Sequence, residues 1–391
     1  MTDGPQRVLG RVTGERGGPT VIVMAGIHGN EPAGLRAVSR VISRLKRESP
    51  TVRGRFTAIA GNLAALGEQT RFVDADLNRR WTPEIVGRLL RGSAREERLA
   101  EDDEQLTLVD VLQEEVDASG GSLYFLDLHT SSADGPPFLT VGDTLYNRRF
   151  ARGFPLPLIL GLEEQVDGAL LEYLNNLGFT TLGIEAGRHD REDSVDRIEA
   201  VLWIALSITR FIEAALVPDL DRRRRTLIEA SRGIPRIVEV RRRHAITGDE
   251  SFRMEDGFGN FDPVREGQLL ARDEHGLVLA PESGRILLPL YQGKGNDGFF
   301  IAREVHGFWL AVSAMLRRLR LGALLRLLPG VRRSDTRREV LVVNTRVARW
   351  RSLDIFHLFG YRKLRRVGSE LSVSRRRYDL SPPPAISRVV P

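Results

Sequence analysis

The chain has 391 residues, 41% apolar and 28% charged, with a formal net charge of +6 and no cysteine. That length suits two or three domains with a sizeable core. Lack of cysteine excludes disulfides and thiolate metal ligands, so any metal must rest on histidine and carboxylate.

The N-terminal stretch MTDGPQRVLGRVTGERGG lacks the apolar run of a secretory signal. No charge-free apolar run reaches the ~18 residues of a membrane span, and a cytoplasmic protein is the expectation. Pro19 to Ala25 (PTVIVMA) reads as a short, buried, β-branched strand ending at Gly26. Ala33 to Arg47 reads as an amphipathic helix with Leu35, Val38, Val41, Ile42 and Leu45 on one stripe. Phe56 to Ala60 is a second strand, Leu106 to Glu115 a helix, and Leu123 to Leu126 and Leu182 to Ile184 two further strands. Asp193 to Leu216 reads as one long, mostly apolar helix. Such alternation predicts an α/β fold, a mixed sheet with helices on both faces.

Arg222 to Arg225 follow Pro218 and read as a linker or a solvated face. From about Thr226 to Val305, short alternating runs separated by Gly, Pro, Asn and Asp predict a small all-β domain. Residues 306–330 return to helical spacing through Trp309, Val312, Leu316 and Leu319, with arginines between. The end, SPPPAISRVVP, is expected to be disordered. Three units follow: 1–221, 226–305, and an extension, 306–391.

Charge divides along the same line. Residues 306–391 hold 18 Arg and one Lys against five acids, a net of +14; residues 1–305 therefore carry −8. Only three lysines occur in the chain, so arginine is its general basic residue and the excess is a weak sign of nucleic-acid binding.

Four segments carry the chemistry. In GIHGNEPAG, His28 and Glu31 place an imidazole and a carboxylate on a tight loop or a first helical turn. His129 in LYFLDLHTSS supplies a second imidazole from a distant strand. Two His, one Glu and an open position for water are a recurring recipe for catalytic zinc. The run RFVDADLNRR brings Arg71, Asn78, Arg79 and Arg80 together and suggests an anion site, because guanidinium forks pair with carboxylates. Asp74 or Asp76 could orient a metal-bound imidazole through its second nitrogen; whether Asp127 reaches His129 is open. Glu185 in LGIEAGR can move a proton between water and a leaving amine. His28, His129 and Glu185 each come just after a predicted strand, where α/β sheets bind ligands.

At these residues the chain resembles the succinylglutamate desuccinylase/aspartoacylase family, relatives of the zinc carboxypeptidases. The motifs run in order over residues 20–215 as H-x-x-E, R-x(4)-D-x-N-R, D-L-H-T and E-x-G, and the likeness continues into PLYQGKGNDGFF. The resemblance implies a carboxypeptidase-like α/β domain followed by a barrel-sandwich β-domain. It implies a single zinc ion on His28, Glu31 and His129, with Asp76 behind His28. Arg71 would stabilise the oxyanion, Asn78 and Arg79 would hold a substrate carboxylate, and Glu185 would be the general base and acid. The activity implied is deacylation of a small N-acyl amino acid such as N-succinylglutamate or N-acetylaspartate.

Two alternatives stay open: a zinc carboxypeptidase acting on peptides, and a binding protein whose basic extension carries the function. A capped site would favour small substrates and an open groove peptides. The extension lies outside the resemblance. An accessory domain with an Arg-rich face is favoured for it over a surface for nucleic acid or anionic membrane. His189, His244, His275, His306 and His357 have no assignable partners, and the oligomeric state is not legible.

Overall fold

The computed structural model describes residues 6–92, 98–246, 251–334, 340–348 and 352–390. The first five residues of the N-terminal stretch, and Arg349 and Trp350 of the extension, lie outside them. Two adjoining strands, β1 (Val8–Thr13) and β2 (Glu15–Ala25), are followed by β3 (Arg53–Ala60), β4 (Leu123–Ser131), β5 (Phe138–Thr140), β6 (Leu158–Leu160) and β7 (Thr180–Arg188). β3, β2, β4 and β7 run parallel, side by side, with β1 antiparallel on the edge. Val21 to Ala25 are wholly buried, because this strand is covered on both faces. Alternate side chains serve two cores, as the period of a strand requires. Val21, Val23 and Ala25 face one core, and Ile22 and Met24 the other.

The helices are α1 (Ala33–Glu48), α2 (Leu63–Glu68), α3 (Pro83–Leu90), α4 (Ala100–Asp117), α5 (Leu145–Ala151), α6 (Leu170–Leu177), α7 (Glu192–Ile208) and α8 (Leu220–Ala230). α1, α5, α7 and α8 cover one face of the sheet, and α3, α4 and α6 the other. The stripe on α1 buries Val38, Val41, Ile42 and Leu45. Each such burial contributes roughly 1.5–3 kcal/mol.

Three expectations are corrected here. The long helix stops at Ile208. Arg210 takes a left-handed backbone (φ 63), and Phe211 and Ile212 turn inward, both N–H groups bonding the Leu206 carbonyl. Arg222 to Arg225 are not a linker but the middle of α8. Arg223 is buried, 2.9 Å from Glu199 and stacked over Trp203, which satisfies a charge that could not otherwise leave water. And β4 and β7 extend past the apolar runs to Ser131 and Arg188, held by their mutual pairing.

The described residues between 237 and 304 form strands and no helix: β8 (Ile237–Ala245), β9 (Arg253–Met254), β10 (Pro263–Val264), β11 (Leu269–Asp273), β12 (Gly276–Leu279), β13 (Gly284–Leu287) and β14 (Asp297–Glu304). β8 pairs with β6, so the large sheet runs on through β8, β14, β13 and β10 to eleven strands. β9, β11 and β12 form a separate three-stranded sheet.

The extension contains α9 (Gly307–Arg318), a four-stranded sheet of β15 (Val331–Arg333), β16 (Val340–Asn344), β17 (Tyr361–Val367) and β18 (Glu370–Arg375), and α10 (Ser352–Leu358). Residues 381–390 form no helix or strand, in keeping with their prolines. The segment is nonetheless packed: Val389 is buried in the α4 and α6 core, and its carbonyl accepts from Tyr173 Oη at 2.6 Å. Among the described residues, no helix is long and apolar enough to cross a membrane.

Candidate active site

β2 ends at Ala25, and the turn after it carries His28 and Glu31 before α1 begins. Gly26 has φ +70, and a Cβ on Gly29 would stand 2.1 Å from the Ala65 carbonyl, so this turn depends on glycine. His129 and Glu185 lie inside β4 and β7, not after them, and are direct partners in the parallel register. The loop from Arg71 to Arg79 is held by Glu101 of α4. This wholly buried carboxylate accepts the N–H groups of Val73, Asp74 and Ala75 at 2.8, 3.1 and 3.0 Å, and Asn62 Nδ2 at 3.0 Å.

These segments converge. His28 Nδ1 lies 2.8 Å from Glu31 Oε1, and His129 Nδ1 3.3 Å from Glu31 Oε2. Each far nitrogen meets an aspartate: His28 Nε2 with Asp76 Oδ1 at 3.2 Å, His129 Nε2 with Asp127 Oδ2 at 3.0 Å. Asp127 therefore does reach the imidazole, as residues two apart on a strand can. Asp74 serves elsewhere, accepting the Ala100 N–H. Both rings are thus turned with Nδ1 toward Glu31. One ligand atom from each of His28, Glu31 and His129 fits within 4.8 Å of the others. Arg71 donates to Asp76 Oδ2 at 3.1 and 3.2 Å and stands 3.7 Å from Glu31.

The charges point the same way. Burial alone would lift Glu31, but His28 and His129 hold it well below the usual carboxylate range. Burial alone would depress His129, but Asp127 and Glu31 raise it well above the usual histidine range. The cluster favours positive charge at its centre, and its donor set suits a divalent cation. Glu185 differs. Burial and the neighbouring Glu31 push its carboxyl up to about 8, against the pull of His129 and Arg71, and its Oε2 has no hydrogen-bond partner.

His28, Glu31, Arg71, Asp127, His129 and Glu185 line one cavity of about 160 Å³, with Asp76 behind His28. Residues 289–297 close over it: Gln292 accepts from Asn30 at 2.7 Å, Lys294 donates to the Phe72 carbonyl, and Asp297 takes Arg79 Nη2 at 2.5 Å. Asn78 Oδ1 accepts the Leu170 N–H. Arg80 does not join the anion site: it pairs with buried Asp102 of α4. On the side away from the histidines, Glu163 and Glu172 line the cavity and are bonded by the extension, through Arg376 at 3.0 Å and through Arg362. His357 reaches Glu164 at 3.0 Å and Glu239 at 2.9 Å. Three arginines of the extension, Arg317, Arg362 and Arg376, thus pair with acids of the preceding part of the chain.

Sequence reasoning missed several of these residues. His189 lines the cavity and bonds Thr130 Oγ1 at 2.7 Å. Its place four residues after Glu185 was the available signal. Glu101, Glu163, Glu172 and His357 act on partners far away in sequence and left no local pattern.

The model of the succinylglutamate desuccinylase/aspartoacylase catalytic domain matches residues 17–212, half of the chain. The chain belongs to this family. Solved structures with the same fold include a succinylglutamate desuccinylase/aspartoacylase from Rhodobacter sphaeroides, 18% identical over 76% of this chain and 88% of that one (TM-score 0.55). The product-bound ectoine utilization protein EutE from Ruegeria pomeroyi is 17% identical, covering 75% and 87% (TM-score 0.54). Succinylglutamate desuccinylase from Vibrio cholerae is 17% identical, covering 76% and 85% (TM-score 0.52). No curated protein sequence matches the chain.

Proposed function

We propose that this family member is a zinc-dependent amidohydrolase that deacylates a small N-acyl amino acid, N-succinylglutamate and N-acetylaspartate being the reference substrates. The reading rests on one observation above all. The cation-favouring cluster His28, Glu31 and His129, the elevated carboxyl of Glu185 and the guanidinium of Arg71 line one small cavity. A zinc ion held by the two Nδ1 atoms and Glu31 would supply a Lewis acid and lower the pKa of a water to ~7.

The chain's own residues do the rest. Asp76 and Asp127 fix the tautomer and direction of the two imidazoles. Glu185 takes the proton of the attacking water and returns it to the leaving amine. Arg71 stabilises the oxyanion formed at the acyl carbon. Asn78 and Arg79, which line the same cavity, would hold the carboxylate of the substrate's amino-acid end. The capping segment 289–297 lines the cavity and narrows it, which favours a small substrate over a peptide and argues against the carboxypeptidase reading. In this proposal residues 1–221 are the hydrolase unit, 226–305 the capping β-unit and 306–391 an accessory unit.

Zinc-loaded protein is tested on N-succinylglutamate, N-acetylaspartate, other N-acyl amino acids and dipeptides. Amine release from an N-acyl amino acid, stopped by a chelator, supports the proposal. Cleavage of dipeptides alone contradicts it.

A further inference from the structure

Helix α9 presents two different sides. Its inward side carries Leu310, Ser313 and Arg317, all buried, with Arg317 bonded to Asp143 at 2.7 Å and Asp379 at 3.1 Å. These bonds fix which side faces out. On that outer side Phe308, Val312, Met315 and Leu319 recur at i, i+4, i+7 and i+11, the spacing that normally meets a core. Here Phe308, Met315 and Leu319 are exposed, Phe308 by 59%. Trp309 is exposed beside Phe308, their rings 5.4 Å apart. The 3-10 turn Leu321–Leu327 that follows adds exposed Leu324 and Leu327, the latter 79% exposed. A patch of this kind on a water-facing surface marks an interaction site.

The segment that bears it is charged with one sign. Residues 305–334 contain six Arg and no Asp or Glu. Arg318, Arg320 and Arg326 are exposed and make no ion pair among the described residues. They differ in this from Arg317, Arg362 and Arg376, which are bonded to carboxylates of their own chain.

We propose that the outer face of α9 and the turn after it docks on an anionic phospholipid surface. The apolar stripe enters the boundary between headgroups and acyl chains, and Arg318, Arg320 and Arg326 meet headgroup phosphates. A second copy of the chain fits this face less well, because a two-fold contact would set arginines against arginines. Nucleic acid fits it less well too, because a phosphate backbone offers nothing to an outward row of Phe, Met and Leu.

The test is sedimentation of the full chain with vesicles of equal parts phosphatidylglycerol and phosphatidylcholine, against phosphatidylcholine alone. Two variants accompany it, each checked for fold by circular dichroism. One is Phe308→Ser with Met315→Ser and Leu319→Ser. The other is Arg318→Gln with Arg320→Gln and Arg326→Gln. The wild type is expected to sediment with the phosphatidylglycerol vesicles and to be released by salt. The arginine variant should bind more weakly by roughly fivefold per residue replaced, and the apolar variant by tenfold or more. Absence of wild-type binding, or equal binding by both variants, overturns the proposal. So does a DNA duplex bound where vesicles are not, or a wild-type dimer that the apolar variant dissociates without any vesicle binding.

Discussion

His129 and Glu185 face each other in register on neighbouring parallel strands, β4 and β7. A cluster histidine and the carboxyl assigned as base are therefore set by the pairing of two strands inside the sheet, with Asp127 bonded to the same histidine from two residues back. Rigid elements hold reacting groups more closely than loops do.

That arrangement makes the metal-free protein sensitive to alkali. Glu185, with a carboxyl raised to about 8, is protonated in the folded chain where the unfolded chain is ionised, so its effect on stability turns unfavourable as pH rises from ~4.5 to 8. The raised His129 adds stability below the ordinary histidine pKa and loses it as pH climbs through its folded value. Depressed Glu31 and Asp76 act at the other end, losing their contribution as pH falls. Thermal melts of chelated protein should show Tm falling between about pH 5 and pH 8. Glu185→Gln should flatten that slope. An equal slope in the variant would contradict the placement of Glu185.

Arg79 is bonded at 2.5 Å to Asp297, which also binds Arg243. A substrate carboxylate must compete with Asp297 for this guanidinium. Asp297→Asn should lower KM for N-acyl amino acids, by roughly tenfold if one charge-assisted bond is released. Arg79→Ala should raise KM more than it lowers kcat. Steady-state kinetics of both variants check the pair.

Glu101 terminates three backbone N–H groups of the loop that carries Arg71 and Asp76. Glu101→Ala leaves them unsatisfied, at about 1–3 kcal/mol each where they stay buried. We expect a loss of about 3 kcal/mol in urea unfolding and weaker zinc binding, although Glu101 touches none of the three cluster residues. Unchanged zinc affinity would separate the loop from the site.

His357, raised to about 10 by Glu164 and Glu239 against the pull of burial, ties the extension to the catalytic part. Its contribution is complete below pH ~6.5 and is lost as pH rises through about 10. Glu239, lowered to about 2, keeps its share above the ordinary carboxylate pKa and loses it toward that value. His357→Gln should destabilise the protein at neutral pH by about 3 kcal/mol, since it removes a half-buried cation shared by two carboxylates, and the deficit should fade above pH ~10. Chemical denaturation at the two pH values measures this.

The site was legible where chemistry needs fixed residue types at short spacing. His28, Glu31, Arg71, Asp76, His129 and Glu185 all come together around the one cavity or directly behind it. The parallel core was legible from β-branched runs such as Val21 to Val23. Element ends were not. β4 and β7 run on through polar residues because their pairing continues, and α7 ends at Ile208 because the chain turns at Arg210 and Phe211 is drawn into the core. Arg80 looked like part of the anion site because its partner, Asp102, lies 22 positions away. The ion pairs that tie the extension to the rest of the chain were not legible, because the acids that meet it, Asp143, Glu163, Glu164 and Glu172, belong to a distant part of the chain.

The central claim is that Glu185 moves the proton in an amide hydrolysis at a zinc site built on His28, Glu31 and His129. Its most direct test is the rate of amine release from N-acyl amino acids by wild type and Glu185→Gln, each assayed with its zinc content measured. The account predicts equal zinc in both and a turnover lower by about 10²–10⁴-fold in the variant. Undiminished turnover in a zinc-bearing Glu185→Gln protein would contradict it.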